Sequence, residues 1–422
     1  MGHRGSGSRR RPLTSRGEGT YGRLLSSAEE VFSERGYYET SVSEICRRAG
    51  VANGTFYQYF DNKEGVFLKL IEQLEEGLSA RIRQALTFPG SAEARLLSGY
   101  RAILEFIEEH AELYQVFREA EFVRLEIPRR FYADIAVIIQ EMLQAGIEVG
   151  EFCPLDPEVV AYSLLGIAEF TAMRYIIWEP KALSEETFQS TAELILHGLD
   201  TGKPRSSREP PAALDRVKKG RSGVSLEPKG GEATRQALLA AAERMFGQTG
   251  FHQTTVSEIT YVAGVAQGTF YLYFPSKVAI FTELVREINR QFRAEERAAI
   301  DHLTDRREVE REGFAAFFRF ISRHREAYRI VREAEFIDEG IGRWYYQRLA
   351  QGYVRGLKEG MERGEIRDLP AEPLAYALLG IGHFVGLRWI IWEGREAIPQ
   401  AALDGMLDFI MHGVSASPVI DS

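Results

Sequence analysis

The 422-residue sequence is poor in cysteine. Cys46 and Cys153 are its two, far apart and without metal-ligand spacing. A disulfide framework and a cysteine-based metal centre are excluded, and the usage suits a reducing cytoplasm. No apolar run reaches the roughly 18–20 residues of a membrane span, and no N-terminal apolar stretch marks a leader, so no membrane partner is predicted. G-x-S-x-G, H-E-x-x-H and a phosphate loop are missing, and no cysteine and histidine pair as nucleophile and base. No enzyme, cofactor or metal is therefore predicted. His110, His197, His324 and His412 read as helix-end or surface residues. Positive charge is also short: 52 Lys and Arg face 61 Asp and Glu, a net charge of −9 that argues against nucleic acid when the chain is averaged. What is present is ordinary for a globular chain, 45% hydrophobic and 27% charged, and long enough for two or more domains.

The sequence is written twice. Gly54–Tyr57 (GTFY) returns at Gly268–Tyr271, and His110–Val123 returns as His324–Ile337. Leu164–Glu179 (LLGIAEFTAMRYIIWE) returns as Leu378–Glu393 (LLGIGHFVGLRWIIWE). Each pair is 214 residues apart, and only His197–Gly198 against His412–Gly413 slips by one. Solenoid repeats run about 20–50 residues, so this is a duplicated whole protein. Residues 201–232 are rich in Gly, Pro, Ser and basic groups and read as a linker with an r.m.s. span of roughly 30 Å. Residues 1–17 read as a basic flexible arm. Elsewhere apolar residues recur at three-to-four-residue spacing, notably over Glu158–Trp178 and Glu372–Trp392, and no alternating strands are found. The expectation is all-α, about nine helices per copy. The parts are a head at 18–77 with a body at 78–200, and a head at 233–291 with a body at 292–416.

Within each head, one helix ends at Gly36 or Gly250. A second is predicted at Val42–Ala49 or Val256–Ala263, and a third at Asn53–Tyr59 or Gln267–Tyr273. Two short helices joined by a tight Gly-containing turn outline a helix-turn-helix. Between Gly36–Phe60 and Gly250–Phe274, 16 of 25 positions are identical. Small and hydroxylated residues mark the third helix: Ala52, Gly54, Thr55, and Ala266, Gly268, Thr269. That composition suits close approach to a large surface, with hydroxyls donating to phosphates or touching thymine methyls.

Thr40–Lys63 (TSVSEICRRAGVANGTFYQYFDNK) and Thr254–Lys277 (TTVSEITYVAGVAQGTFYLYFPSK) closely resemble the helix-turn-helix of the tetracycline-repressor (TetR) family. The likeness covers about 55 residues per copy, while the bodies match in helix pattern and length. It implies a two-fold dimer on a palindromic double-stranded DNA operator, released by a small effector, here fused into a single-chain pseudo-dimer, with higher assembly left open. It places the protein in the cytoplasm at the nucleoid. It also implies DNA contacts for Thr40, Ser41, Arg47, Arg48, Asn53, Gly54, Thr55, Tyr57, Gln58, Tyr59 and Lys63. In copy two the contacts are Thr254, Thr255, Gln267, Gly268, Thr269, Tyr271, Tyr273 and Lys277. Phe56 and Phe270 are expected to face inward. A Tyr-x-Tyr pair can equally be packing; its repetition in two such frames favours DNA.

The copies differ where DNA is read. Cys46-Arg47-Arg48 becomes Thr260-Tyr261-Val262, Asn53 becomes Gln267 and Gln58 becomes Leu272. An imperfect palindrome contacted unequally is predicted. The alternative is a scaffold or sensor in which copy two has lost DNA binding. In the bodies, Glu158–Trp178 with Glu185–Leu199, and Glu372–Trp392 with Gln400–His412, are expected to form a four-helix bundle between copies. Gly166 and Gly380 would allow its close approach. An apolar or aromatic effector is expected near Tyr114, Phe117, Arg118, Glu121, Glu169, Arg174 and Trp178. The same expectation covers Arg332, Glu335, Trp344, His383, Arg388 and Trp392, in one effective pocket rather than two equal ones. The competing role of the charged members is a core ion pair, such as Arg174 with Glu121. The acidic average also dissolves by position. Residues 1–60 carry +3 and 201–277 carry +5, against −13 for 61–200 and −4 for 278–422. Arg9-Arg10-Arg11 and Lys218-Lys219 are candidate arms along the duplex.

Overall fold

The computed structural model describes residues 15–179, 182–201 and 230–414. Among the described residues copy one comprises α1 (Ser15–Glu39), α2 (Val42–Ala49), α3 (Asn53–Phe56), α4 (Lys63–Leu86) and α5 (Ala92–Glu109). It continues with α6 (Ala111–Val123), α7 (Glu126–Glu148), α8 (Pro157–Ala172) and α9 (Glu185–His197). Copy two repeats the order as α10 (Gly231–Thr249), α11 (Val256–Ala263), α12 (Gln267–Tyr273), α13 (Lys277–Ile300) and α14 (Arg306–Arg323). It ends with α15 (Arg325–Ile337), α16 (Glu339–Glu362), α17 (Ala371–Gly386) and α18 (Gln400–His412). A single antiparallel bridge, Asp200 with Ile366, is the extent of β pairing among these residues. The fold is all-α in two repeated halves.

The boundaries have local causes. Ser41, Asn62, Ser91 and Ser184 accept a hydrogen bond from a backbone N–H of the first turn of α2, α4, α5 and α9. Thr255, Ser276, Asp305 and Asp338 do so in copy two, where Thr255 and Glu258 complete a reciprocal capping box. Gly36 (φ 73°) and Gly250 (φ 85°) turn the chain out of the first helix through the left-handed region, which side chains with a Cβ disfavour.

Two expectations need correcting. Glu158–Trp178 and Glu372–Trp392 are not uniform α-helices, because their last turns, Met173–Ile177 and Leu387–Trp392, widen to π geometry. The same two segments, Pro157–Ile177 and Ala371–Trp392, are also long and apolar enough to cross a membrane. Their apolar windows are 83% and 78% buried inside the protein, so packing accounts for the composition.

The compact units do not coincide with the two copies. One unit holds the residues up to Met142 together with the segment starting at Ala172. The other holds Leu143–Thr171 and everything from Leu183 on. Copy one thus gives α8 and α9 to the unit that contains copy two. Inside that unit the exchange is reciprocal. Leu199 N–H donates to Ile410 O (2.9 Å) and Val414 N–H to Ile195 O (3.0 Å). Arg367 N–H donates to Leu199 O (2.8 Å) and Cys153 N–H to Val414 O (2.9 Å). A Cβ on Gly166 would lie 2.2 Å from Gly380 O, and one on Gly380 2.0 Å from Gly166 O. α8 and α17 therefore cross backbone to backbone at the glycines picked out in the sequence.

Candidate functional site

The copy-one head packs Leu24, Phe32, Ile45 and Phe56 inward, leaving α3 at the surface. Tyr57 is 53% exposed, and Ser41, Arg47, Asn53, Gly54 and Gln58 are exposed beside it. Thr55 and Tyr59 are half-buried, Tyr59 with its ring 6.0 Å from that of Tyr21. Asn53 Nδ2 donates to Ser43 Oγ (3.1 Å). Arg48 is held by a bidentate pair with Glu34, and Arg47 leans on Glu44 at 3.5 Å. The two arginines keep their charge over the head, but Arg48 is partly committed inside the fold.

In copy two Tyr271 is 54% exposed, with Thr255, Gln267 and Gly268 exposed and Thr269 and Tyr273 half-buried. Tyr261, Val262 and Leu272 replace the polar residues of copy one and stand free, Tyr261 at 87% and Leu272 at 82% exposure. The copy-two head therefore presents apolar side chains where copy one presents Arg47, Arg48 and Gln58.

Four of the residues expected at DNA also bond within the fold. Thr40 and Thr254 are buried, and their hydroxyls donate to Gly36 O and Gly250 O, both at 2.7 Å. Lys63 Nζ donates to Tyr37 O (2.6 Å) and Tyr38 O (3.2 Å); Lys277 Nζ donates to Phe251 O and Thr254 O, both at 2.8 Å. Burial lowers the pKa of both lysines. These four side chains saturate the carbonyls where the first helix ends, so their local role is to hold the turn. The body closes the same turn from the other side. Glu119 on α6 accepts from Tyr37 N–H (2.9 Å), and Glu333 on α15 accepts from Phe251 N–H (3.0 Å). Burial raises the Glu119 carboxyl to about 7, opposed by that N–H and by Lys63. A carboxylate, half-buried Glu119 in copy one and buried Glu333 in copy two, thus helps tie each head to its body.

The body of copy two encloses a cavity of about 1190 Å³ between α13, α14, α16 and α17, closed by Phe170 of α8. Its deep wall is aromatic and apolar: Phe292, Phe314, Tyr328, Tyr345, Tyr346 and Leu378 are buried. Phe170 meets Tyr346 edge-on at 5.4 Å, and Tyr328 Oη lies 2.7 Å from His383 Nδ1. A polar layer crosses the cavity, in which Arg306 and Tyr353 both bind the Glu310 carboxylate, with Glu296 beside it. Burial pushes the Glu296 carboxyl up to about 7, while the Arg293 cation opposes the shift. A carboxyl raised on folding keeps an extra proton between its unfolded value near 4.5 and about 7, so its contribution to stability fades as pH climbs through that window. Glu296→Gln should match the wild type near pH 5 and become relatively more stable towards pH 8. Thermal unfolding across pH measures this, and a difference independent of pH rules it out.

Of the thirteen residues expected around an effector, His383 lines this cavity and the other twelve do not. The copy-one aromatics are core: Phe117 packs 4.2 Å from Phe131, Tyr114 Oη lies 3.3 Å from Tyr132 Oη, and Trp178 is buried. Arg118 donates to Met173 Sδ (3.1 Å), Arg174 pairs with Glu179 (2.7 Å), Glu169 is buried, and Glu121 is half-buried. Arg332 lies 4.8 Å from the Tyr328 ring, its pKa lowered to about 10 by burial. Glu335 is buried and Trp344 half-buried. Arg388 joins Glu158 of α8 (2.6 Å), and Trp392 packs on Tyr162. Isolated charge in apolar helix marked ties within the core. The charges that reach the cavity sit on α13, α14 and α16, whose patterns read as ordinary solvated faces. The two basic arms, Arg9–Arg11 and Lys218–Lys219, lie outside the described residues.

The family signature described as bacterial regulatory proteins, tetR family, matches residues 24–70 and again 238–284. An uncharacterized HTH-type transcriptional regulator of Bacillus subtilis, YdgC, is 28% identical over 195 residues, covering 44% of this chain and 96% of its own. The HTH-type transcriptional activator FasR of Mycolicibacterium smegmatis is 34% identical over 102 residues, 24% of this chain and 47% of its own. The solved FadR of Bacillus halodurans, a fatty acid degradation regulator, superposes on 44% of this chain and 97% of its own at 20% identity, with a TM-score of 0.38. Curated relatives that match at nearly full length each span under half of this chain, as two fused copies require. The chain belongs to the tetR family of bacterial regulatory proteins, carries that family's unit twice in tandem, and is a DNA-binding transcriptional regulator.

Proposed function

We propose that the chain acts as a repressor in the form of a single-chain pseudo-dimer, its two heads reading the halves of an imperfect palindrome, and that a small effector releases it. The observation that carries this reading is the reciprocal set of backbone hydrogen bonds exchanged by Leu199, Val414, Ile195 and Ile410, which is the pairing expected of two subunits about a two-fold axis. Ser41, Asn53, Tyr57 and Gln58, with Thr255, Gln267, Tyr271 and Leu272, are the exposed side chains offered to DNA. The effector occupies the copy-two cavity. At the positions of Glu296, Arg306, Glu310 and Tyr353, copy one has Ile82, Ala92, Leu96 and Ile139, all buried, which supports one effective pocket. Nothing in either body suggests catalysis, and the site of action is the cytoplasmic nucleoid.

Selection of bound sequences from a random DNA pool tests the reading. The expected consensus has two unlike half-sites with centres about 34–36 Å apart. Tyr57→Ala should weaken binding broadly, by roughly 5- to 150-fold for a lost contact of about 1–3 kcal/mol. Leu272→Gln should change base preference in one half-site alone. A symmetric consensus with equal losses from Tyr57→Ala and Tyr271→Ala overturns it. The exposed Tyr261, Val262 and Leu272 favour a second reading, in which copy two is a scaffold or sensor. Unchanged binding on Tyr271→Ala, beside a large loss on Tyr57→Ala, would select that one.

A further inference from the structure

The copy-two cavity has a charged mouth as well as an aromatic floor. Six arginines line it, together with six carboxylates, Glu296, Asp301, Asp305, Glu310, Glu359 and Glu365. Three are neutralised within the fold: Arg306 by Glu310, Arg307 by Asp200 (2.7 Å) and Arg363 by Glu365 (2.7 Å). The other three, Arg293 and Arg297 on α13 and Arg355 on α16, make no ion pair among the described residues. They do not stand apart electrostatically. Arg293 is shifted down first by burial and then by the positive fields of Arg297, Arg348 and Arg355, with Glu296 in partial opposition. Arg293 is half-buried and Arg297 and Arg355 are exposed at the mouth, so an anion entering there meets three cations that no ion pair among the described residues neutralises.

Copy one shows the same place discharged. The counterparts of Arg293, Arg297, Arg348 and Arg355 are Ser79, Arg83, Asp134 and Glu141. Arg83 pairs with Glu141 at 3.8 Å, and Asp134 pairs with Arg130 at 3.5 Å. Room was made at the same time: Ile138 and Met142 of copy one are Gly352 and Gly356 in copy two, and both glycines line the cavity. The cations and the room stand together in copy two, the acids and the bulk in copy one. The geometry points to an anionic amphiphile as the ligand of copy two, its phosphate or carboxylate head held by Arg293, Arg297 and Arg355 and its apolar body laid on Phe292, Phe314 and Tyr345. Guanidinium forks match both oxyanions bidentately, and the aromatic wall supplies the apolar burial. Tyr328 and His383 close the far end.

This inference rests on the effector reading above and is tested without DNA. Calorimetry on the full chain compares dodecyl phosphate, laurate, dodecanol and dodecylamine, which share a tail and differ in head, each below its micelle concentration. One site per chain is expected, with the anions at least about tenfold tighter than dodecanol, and dodecylamine weakest, from two or more charge-assisted hydrogen bonds. Dodecyl phosphate ahead of laurate identifies a phosphorylated head; the reverse identifies a carboxylate. The double variant Arg293→Ala, Arg297→Ala should remove the preference for anions and leave dodecanol unchanged, which also shows that the cavity is still folded. Arg83→Ala in copy one should change nothing. Equal binding of dodecanol and the anions, two equal sites, or an anion preference that survives the double variant overturns the inference. Operator release is read separately: anion binding without release would overturn the effector reading and leave this site standing.

Discussion

Gly380→Val is expected to cost more than about 3 kcal/mol and to abolish operator binding. Overpacking a core ordinarily costs about 1–3 kcal/mol because neighbouring side chains give way. Here the obstacle is backbone: a Cβ on Gly380 would sit 2.0 Å from Gly166 O, and α8 and α17 would have to part along their length. The crossing is shared by both copies, so the damage reaches the pairing on which the proposed two-headed DNA binding depends. Gly166→Val should do the same, its Cβ falling 2.2 Å from Gly380 O. Gly405 in α18 is the control. Its nearest neighbours to an added Cβ are 4.0 Å away, so Gly405→Ala should stabilise by about 0.5–1 kcal/mol through the lower entropy of the unfolded chain. Thermal and denaturant unfolding of the three variants measures this. A tolerated valine at position 380 would disprove the close crossing.

Glu333→Ala should cost about 1.5–3 kcal/mol, the range for a hydrogen bond to a charged group, and should loosen the copy-two head from its body. Both Glu333 oxygens accept from the buried Phe251 N–H, at 3.0 and 3.1 Å, and the carboxylate lies in the field of Lys277 and Arg329. Alanine leaves that N–H without its acceptor and Lys277 with Glu258 as its remaining compensating charge. Glu333→Gln keeps an acceptor and should recover most of the stability. Amide exchange should accelerate at Phe251–Thr254 in the alanine variant, and DNA affinity should fall even though no DNA-facing residue has changed. Glu119→Ala should act in the same way on Tyr37 in copy one. Unaltered exchange at Phe251 would show that the carboxylate does not hold the turn.

Much of this was legible in the residues. The bounds of α2 and α11 follow from Ser41 with Gly50 and Thr255 with Gly264, because caps and left-handed glycines act over four or five residues, whereas α3, which has no side-chain cap, stops at Phe56 short of the expected Tyr59. The inward Phe56 and Phe270 and the outward Tyr57 and Tyr271 follow from helical periodicity. What Lys63 and Lys277 hold within the fold was not legible, because their acceptors, the carbonyls of Tyr37 and Phe251, lie 26 residues earlier in the chain.

The sequence alone determined the all-α class, the duplication, the two reading heads and the asymmetry between Arg47-Arg48 and Tyr261-Val262, since each is carried by spacing within one segment. Tertiary structure decided which charges face a cavity and which tie the core together. Arg293, Glu296 and Arg297 look like the solvated face of an amphipathic helix, and only the approach of α14, α16 and α17 encloses them. It also decided that copy one lends α8 and α9 to the unit of copy two, because hydrogen bonds such as Leu199 to Ile410 join residues that no local pattern relates.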